Sequence, residues 1–306
     1  MKPQNLTAII RKYGTDEKCR ECLVHLRWPD GVRCPHCGSA KISRVYERST
    51  FDCTDCRYQF SVTAGTMFHD SHLPLTIWFY VTFVMCESRK GVSANQIKRM
   101  FGVSYKTAWY LCHRIRAAMV EASKPKLGGI VEIGETYVGG RTRGKRGRGA
   151  ASEEIVIGIR QRQGGLRFFH AEDVRSGTLE GYIRENIAED VEILMTDDLG
   201  QYRGAARRVG LDHHRHKAIM HSTGMYVNGD VHTNAAESAF SLLKRGVMGT
   251  WHRISAKHLQ AYCNEMCFRF NNLKNPYLFR DTVRKLIASP NLEYKTLTSQ
   301  ESEPAA

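Results

Sequence analysis

At 306 residues the chain has room for two or three domains, because single domains mostly run to about 100–200 residues. Its 45 Lys and Arg residues outnumber its 31 Asp and Glu residues, and the resulting net charge of +14 favours a polyanionic partner, with nucleic acid first. The start lacks a secretory signal, and the longest apolar run is too short to span a membrane. We therefore expect a cytoplasmic protein without membrane contact, in which cysteines bind metal or lie buried.

Four of the ten cysteines form two Cys-x-x-Cys pairs: Cys34, Cys37, Cys53 and Cys56. This spacing lets four thiolates close a tetrahedron around zinc, and the alternating segment between the pairs is typical of a hairpin. We predict a zinc ribbon whose zinc is structural, because protein ligands fill all four positions. Cys19 and Cys22 share the spacing but lack a second pair, so we interpret them as ordinary helix residues.

Residues 91–119 have the pattern of a helix-turn-helix. Ser93 and Gln96 form a capping box, Gly102 ends the first helix, and Ser104 caps the second. The second helix carries polar side chains that we predict contact double-stranded DNA: Tyr105, Lys106, Thr107, Arg114 and Arg116. Plain packing of two helices is the alternative.

Beyond residue 124 the chain alternates between strand and helix patterns. Three strands, a helix, a strand, a helix and a strand follow one another: residues 130–140, 153–162, 166–174, 176–190, 191–198, 205–211 and 213–221. That order is typical of a ribonuclease-H-like mixed-sheet core. We predict a multi-domain α/β protein with four segments: zinc ribbon (1–70), helix-turn-helix (71–124), ribonuclease-H-like core with a helical C-terminal extension (125–280), and a tail with a disordered end (281–306).

Phosphodiester chemistry on such a sheet needs carboxylates from the first strand, the fourth strand and a following helix, which bind two metal ions about 4 Å apart. The fourth strand ends in Asp197. The later helix offers Asn234 and Glu237, three residues apart, and Lys244 two turns further along the same side. We predict Asp197 and Glu237 as magnesium ligands and Lys244 as a phosphate contact.

Six segments, in this order, resemble the ISXO-like insertion-sequence transposases that carry an N-terminal zinc ribbon: LRWPDGVRCPHCGS, FDCTDCRYQFSVTAGTMF, GVSYKTAWYLCHRIR, ETYVGG, HTNAAESAFSLLKRGVMGTWHRIS and HLQAYCNEMCFRFNN. The resemblance, which runs from about Leu23 to Asn272, implies a Mg²⁺- or Mn²⁺-dependent transposase. Such an enzyme cuts DNA at terminal inverted repeats and joins the 3′ ends to target DNA, often as a homo-oligomer on paired ends. Its acidic set and basic partner fall here on Gly134, Asp197, Asn234 or Glu237, and Lys244.

The chain departs from that family at Gly134, where an aspartate is expected before the Glu-Thr-Tyr-Val-Gly-Gly run. Two neighbours could replace it. Glu132 shares its face of the strand but lies about 6–7 Å away, and Glu135 points to the opposite face unless a bulge turns it. We therefore expect impaired catalysis. The alternative is a catalytically silent DNA-binding protein that recognises inverted repeats, as a repressor or a domesticated transposase.

A basic, glycine-rich loop follows the first core strand. Its cations are expected to bind DNA phosphates: Arg141, Arg143, Lys145, Arg146 and Arg148. A solvated loop without a ligand is the alternative.

Overall fold

The computed structural model describes residues 5–121, 124–139, 153–197, 199–219 and 233–299. The chain divides into two compact units. The N-terminal unit comprises Met1–Ser88, Val92–Met119 and Asn275–Ala306, and the core unit comprises Arg89–Gly91 and Val120–Lys274. Within the described ranges, none of the helices combines the length and the apolar character that crossing a membrane requires.

A small antiparallel sheet and seven helices make up the described part of the N-terminal unit. The strands run in the order β1-β2-β3. Their bounds are β1 Ile42–Val45, β2 Thr50–Cys53 and β3 Gln59–Phe60. The helices are α1 Leu6–Lys12, α2 Asp16–Arg27, α3 Leu75–Glu87, α4 Ala94–Phe101, α5 Tyr105–Ala118, α10 Leu278–Ala288 and α11 Tyr294–Thr298. The predicted hairpin is confirmed, because β1 and β2 are its two arms.

Helices α4 and α5 form the predicted helix-turn-helix. The side chain of Ser93 accepts a hydrogen bond from the backbone N–H of Gln96 at 3.1 Å, and that of Ser104 caps α5 in the same way. Gly102 ends α4 with a left-handed φ of 66°, a conformation that glycine adopts without steric cost. The capping residues read from the sequence are therefore the ones that bound these helices.

The core unit contains a five-stranded mixed sheet in the order β6-β5-β4-β7-β8. Strands β4, β5 and β6 pair antiparallel, whereas β7 and β8 continue the sheet in parallel with β4. The bounds are β4 Ile130–Gly139, β5 Glu153–Gln161, β6 Leu166–Ala171, β7 Ile193–Asp197 and β8 His216–Ile219. This strand order confirms the ribonuclease-H-like core.

Helices cover both faces of the core sheet. They are α6 Ser176–Asn186, α7 Gly200–Arg208, α8 Asn234–Gly246 and α9 Ala256–Asn271, with a π-helical turn, Val247–Trp251, after α8. Val131 and Ile133 of β4 pack with residues of α6 and α7, while Val138 packs with residues of α8 and α9. Successive side chains of a strand point to opposite faces, so one face of β4 meets α6 and α7 and the other meets α8.

The C-terminal segment returns to the N-terminal unit. Helix α10 packs on α2, α3 and α5, and the backbone N–H of Met67 donates to the carbonyl of Leu286 at 3.3 Å. The sequence divided the chain into four consecutive segments, whereas the structure groups residues 275–306 with the zinc ribbon and the helix-turn-helix.

Candidate active site and structural metal centre

Four thiols converge beside the first sheet, from Cys34, Cys37, Cys53 and Cys56. All four sulfur atoms lie within 4.8 Å of one another, with Cys34 3.6 Å from Cys56 and Cys37 3.5 Å from Cys53. A tetrahedral zinc ion with bonds of about 2.3 Å holds its sulfur ligands about 3.8 Å apart, so these thiols fit zinc. Four protein ligands leave no position for a substrate, which makes the centre structural.

Each Cys-x-x-Cys pair is a tight turn closed by a backbone hydrogen bond. The N–H of Gly38 donates to the carbonyl of Cys34, and the N–H of Arg57 donates to that of Cys53, both at 2.9 Å. Gly38 and Arg57 have left-handed φ values of 74° and 60°.

The register of β4 against β7 aligns two positions of the predicted acidic set. Glu132 on β4 lies opposite Met195 on the parallel strand β7. The pairing of β4 with β7 ends at this pair. Gly134 follows Glu132 by two residues, and Asp197, the last residue of β7, follows Met195 by two, so strand alternation gives each of them the same face as its predecessor.

Neither backbone nor packing requires a glycine at position 134. A Cβ atom added to Gly134 would lie 3.5 Å from a ring carbon of Phe240 on α8, an ordinary van der Waals contact, and its φ is outside the left-handed region. Gly158, its neighbour on β5, differs, because a Cβ atom there would lie 2.6 Å from the same ring. The packing of Phe240 thus explains Gly158 but not Gly134.

Glu132 is fully buried and binds α8 to the sheet. One carboxylate oxygen accepts a hydrogen bond from Nε of Arg162 at 2.8 Å, and the other accepts one from the backbone N–H of Ala236 at 2.9 Å. Ala236 lies in the first turn of α8, where backbone N–H groups have no partner inside the helix. Glu132 therefore caps α8 and is not positioned as a substitute for an aspartate at 134.

Glu135 points to the other face of the sheet, as strand alternation predicts. Its carboxylate accepts a hydrogen bond from the hydroxyl of Tyr202 on α7 at 2.7 Å. Burial, followed by the charge of Glu135, raises the pKa of Tyr202 well above its usual value, so the hydroxyl stays protonated as a donor. No bulge turns Glu135 towards α8, because β4 pairs with β5 without interruption from Val131 to Gly139.

Helix α8 brings the remaining candidates to the face that carries Gly134. Its apolar side packs on β4 and β5 through residues that include Phe240, which leaves Asn234, Glu237 and Lys244 exposed. The hydroxyl of Thr233 donates to the carboxylate of Glu237 at 3.2 Å. Among the described residues, the four cysteines are the only group of three or more His, Cys, Asp or Glu side chains that converge on one point. Asn234, Glu237 and Lys244 therefore lie on the exposed side of α8, the helix that packs over the face of Gly134.

Two family models match the chain. An ISXO2-like transposase domain matches residues 126–271 and a transposase zinc-ribbon domain matches residues 14–59, which together are more than half of the chain. The chain belongs to the ISXO2-like transposase family. It is an insertion-sequence transposase of the DDE type, and the five-stranded sheet and the four cysteines both lie inside the matched segments.

A curated relative comes from another transposable element. This ISXO2-like transposase is 29% identical to an uncharacterized protein in transposable element ISH50 of Halobacterium salinarum, over 87% of this chain and 95% of the relative. Among solved structures, the crystal structure of the Mos1 strand transfer complex matches with a TM-score of 0.30 and 11% identity over 69% of this chain and 75% of that chain.

Two predicted DNA contacts of the ISXO2-like transposase are buried. Arg114 and Arg116 are each 2% exposed. The guanidinium of Arg114 donates to the carbonyl of His69 and to the side chain of Asn291, both at 2.8 Å, and lies 5.0 Å from the ring of Trp78. The prediction that Arg114 and Arg116 contact DNA is wrong, because both side chains are buried.

The start of α5 remains accessible. Tyr105 is 49% exposed, and the ammonium of the exposed Lys106 lies 4.4 Å from the ring centroid of Tyr294. The hydroxyl of Thr107 hydrogen-bonds to that of Ser104 at 2.8 Å as part of the helix cap. DNA contact by Tyr105, Lys106 and Thr107 therefore stays a prediction, with Thr107 already engaged in the cap.

Several predicted contacts lie outside the described residues. They are the cations of the glycine-rich loop: Arg141, Arg143, Lys145, Arg146 and Arg148.

Two functional arginines were not predicted from the sequence: Arg160 in β5, and Arg162 just after it. Arg160 donates to the carbonyl of Ala235 at 2.6 Å and to the hydroxyl of Ser238 at 2.7 Å, both on α8. Arg162 pairs with Glu132. Together these side chains fix the start of the helix that carries Glu237. The signal in the sequence is the alternation of two arginines at the end of an otherwise apolar strand.

Proposed function

We propose that this ISXO2-like transposase acts on double-stranded DNA at the terminal inverted repeats of its own element, and that its strand cleavage is impaired by Gly134. The observation that carries the proposal is the position of this glycine. Strand alternation gives Gly134 the same face of the sheet as Asp197, the face on which α8 packs, and an added Cβ atom there would meet only an ordinary contact. A glycine that the fold does not need is most simply explained as a lost carboxylate.

The donor set supports a divalent metal site that is one ligand short. Carboxylate oxygens of Asp197 and Glu237 are the hard ligands that Mg²⁺ and Mn²⁺ prefer. Such ions, when bound, supply Lewis acidity for phosphodiester cleavage and transfer. Glu132 and Glu135 do not replace the missing group, since one caps α8 and the other accepts from Tyr202 on the opposite face. If the missing carboxylate lowers the rate of cleavage by about 10³-fold, the activation free energy is higher by about 4 kcal/mol.

The chain's own residues suggest how DNA is held at this site. Lys244 follows Glu237 by seven residues, or about two helical turns, so both side chains project from the same side of α8. An ammonium there binds a DNA phosphate next to the carboxylates. Exposed Tyr105 and Lys106 at the start of α5 supply contacts that position the duplex.

A second function is favoured by the contrast between the two halves of the molecule. The thiol cluster and the capped helix-turn-helix are intact, whereas the carboxylate set is not. A protein with these features binds the inverted repeats without cutting them and thereby represses transposition. Binding without cleavage distinguishes this function from the first.

The test is cleavage of a labelled duplex that carries the element's terminal repeat, with Mg²⁺ or Mn²⁺. Three proteins are compared: the natural chain, Gly134→Asp, and Gly134→Asn as a control of equal size without the charge. We expect all three to retard the duplex in a gel, and we expect Gly134→Asp to cut it at least about 10³-fold faster than the natural chain and Gly134→Asn do. Equal cleavage by the natural chain and Gly134→Asp would contradict the assignment of Gly134. Retardation without cleavage by any of the three would favour the silent DNA-binding protein.

A further inference from the structure

The segment that joins α8 to α9 is a strongly basic surface. No Asp or Glu occurs from residue 238 to residue 264. The exposed Lys and Arg side chains of this stretch lie between the last turn of α8 and the first turn of α9: Lys244, Arg245, Arg253 and Lys257. We call residues 244–257 the α8–α9 turn. A surface with this charge, and without a neighbouring carboxylate in sequence, is suited to a polyanion.

An apolar side chain projects from the middle of these cations. Met248 is 73% exposed. It follows Lys244 by four residues and Arg245 by three on a continuous helical backbone, so all three side chains project from neighbouring positions. A single exposed apolar residue is common on protein surfaces, and by itself it indicates nothing. Met248 differs from other exposed apolar residues because it lies among cations and on a π-helical turn.

The backbone that presents Met248 is firmly anchored. Helix α8 continues into the π-helical turn Val247–Trp251, a rare element that is often found at functional sites. The ring of Trp251 is buried and packs edge-on against the ring of Tyr262, with 4.8 Å between the ring centroids. A Cβ atom added to Gly91 would lie 2.4 Å from the Trp251 ring, and one added to Gly246 would lie 2.9 Å from it. The two glycines therefore make room for the tryptophan, and the tryptophan fixes the turn.

We propose that the α8–α9 turn binds double-stranded DNA, with its cations on the phosphates and Met248 inserted between two base pairs. The proposal rests on the proposed function, because it takes DNA as the partner. Methionine is among the residues that act as wedges in protein–DNA complexes, where they partly unstack a base step and kink the duplex. Flanking cations offset the repulsion between phosphates that such a kink brings together. A second copy of this chain is a poorer occupant, because each copy carries a net charge of +14.

The same helix connects this wedge to the candidate active site. Glu237 and Lys244 lie on α8, which runs without a break into the π-helical turn. A duplex bound by the α8–α9 turn therefore passes close to Glu237 and Lys244. Local unstacking at that point bends the backbone beside the phosphodiester that an in-line attack must reach.

The test uses the full natural chain and duplexes from the element's ends, each with 2-aminopurine at one position, because the fluorescence of this base rises when it is unstacked. Met248→Ala is compared with Leu273→Ala, a control 58% exposed in the same unit but outside the turn. We expect the natural chain and Leu273→Ala to raise the fluorescence several-fold at one step. Met248→Ala should lose most of that rise yet still bind the duplex, and its circular dichroism should be unchanged.

Two further measurements separate the wedge from the phosphate contacts. Arg253→Gln and Lys257→Gln should each lower the dependence of log affinity on log salt by about one unit, while Met248→Ala leaves it unchanged. A mismatch placed at the unstacked step lowers the cost of unstacking. The affinity of Met248→Ala for the mismatched duplex should therefore equal that of the natural chain for the matched duplex.

The outcomes distinguish this proposal from the proposed function. Binding with equal 2-aminopurine signals for the natural chain and Met248→Ala overturns the wedge alone. Binding with a salt dependence that neither Arg253→Gln nor Lys257→Gln alters overturns the phosphate contacts. If the natural chain fails to bind any duplex at low salt, both the wedge and the proposed function are overturned. Self-association that Met248→Ala abolishes would instead identify a second copy as the occupant.

Discussion

The substitution Glu132→Gln tests the finding that Glu132 holds α8 in place. In the native protein its two oxygens accept from Arg162 and from the backbone N–H of Ala236. Glutamine keeps one acceptor oxygen but turns an NH₂ group towards one of these donors. The start of α8 would then lose either its cap or the arginine that braces the cap, and Glu237 would lose its fixed position.

The magnitude follows from the burial of the pair. A buried donor left without a partner costs about 1–3 kcal/mol, and removal of one partner from a buried ion pair costs about 3–5 kcal/mol. The side chain of Glu132 is fully buried but that of Arg162 is 20% exposed, so the lower end of the second range applies. We expect Glu132→Gln to lower the free energy of unfolding by about 3 kcal/mol, which lowers Tm by about 6–12 °C for a domain of this size.

Thermal unfolding followed by circular dichroism measures this loss, with Glu180→Gln as the matched control. Glu180 pairs with Arg184 at 2.9 Å and with Arg208 at 3.7 Å, and both arginines are more than half exposed, so each pair contributes less than about 1 kcal/mol. If Glu132→Gln unfolds at the same temperature as Glu180→Gln, Glu132 does not hold α8. If it unfolds at the natural temperature and also abolishes Mn²⁺ binding, Glu132 is a metal ligand.

Three further predictions concern packing, zinc and the buried cation. Gly158→Ala should cost about 1–3 kcal/mol of stability through its clash with a phenylalanine ring, whereas Gly134→Ala should be neutral or slightly stabilising, as chemical denaturation will show. Metal analysis should find one zinc ion per chain, and Cys37→Ala or a chelator should remove it and open the ribbon to protease. Arg114→Ala should lower Tm without a specific effect on DNA affinity, whereas Lys106→Ala should weaken DNA binding at unchanged Tm.

The elements that local patterns determine were predicted well. Cysteine spacing located the zinc ribbon, because four ligands on two tight turns leave little freedom of arrangement. Alternation of apolar residues located β4, and it also predicted that Glu135 points away from α8, since side chains of a strand alternate by geometry. The strand order of the core follows from the order of patterns along the chain.

The features that were predicted wrongly or not at all depend on contacts between residues far apart in sequence. Arg114 was predicted to face DNA because it is a cation on a helix, but its partners His69 and Asn291 are 45 and 177 residues away. Helix α5 is packed by both α3 and α10, so more than one of its sides is buried. The return of α10 to the N-terminal unit, and the cap that Glu132 provides to α8, likewise have no local signal.

The central claim is that Gly134 marks the position of a missing metal-binding carboxylate beside Asp197. Mn²⁺ titration followed by electron paramagnetic resonance tests it most directly, on zinc-loaded natural protein, Gly134→Asp and Gly134→Asn. We predict that Gly134→Asp binds Mn²⁺ at least about tenfold more tightly than the other two, a difference of about 1.4 kcal/mol, and that adding Asp197→Asn removes the gain. Equal Mn²⁺ affinity in the natural chain and Gly134→Asp would contradict the claim.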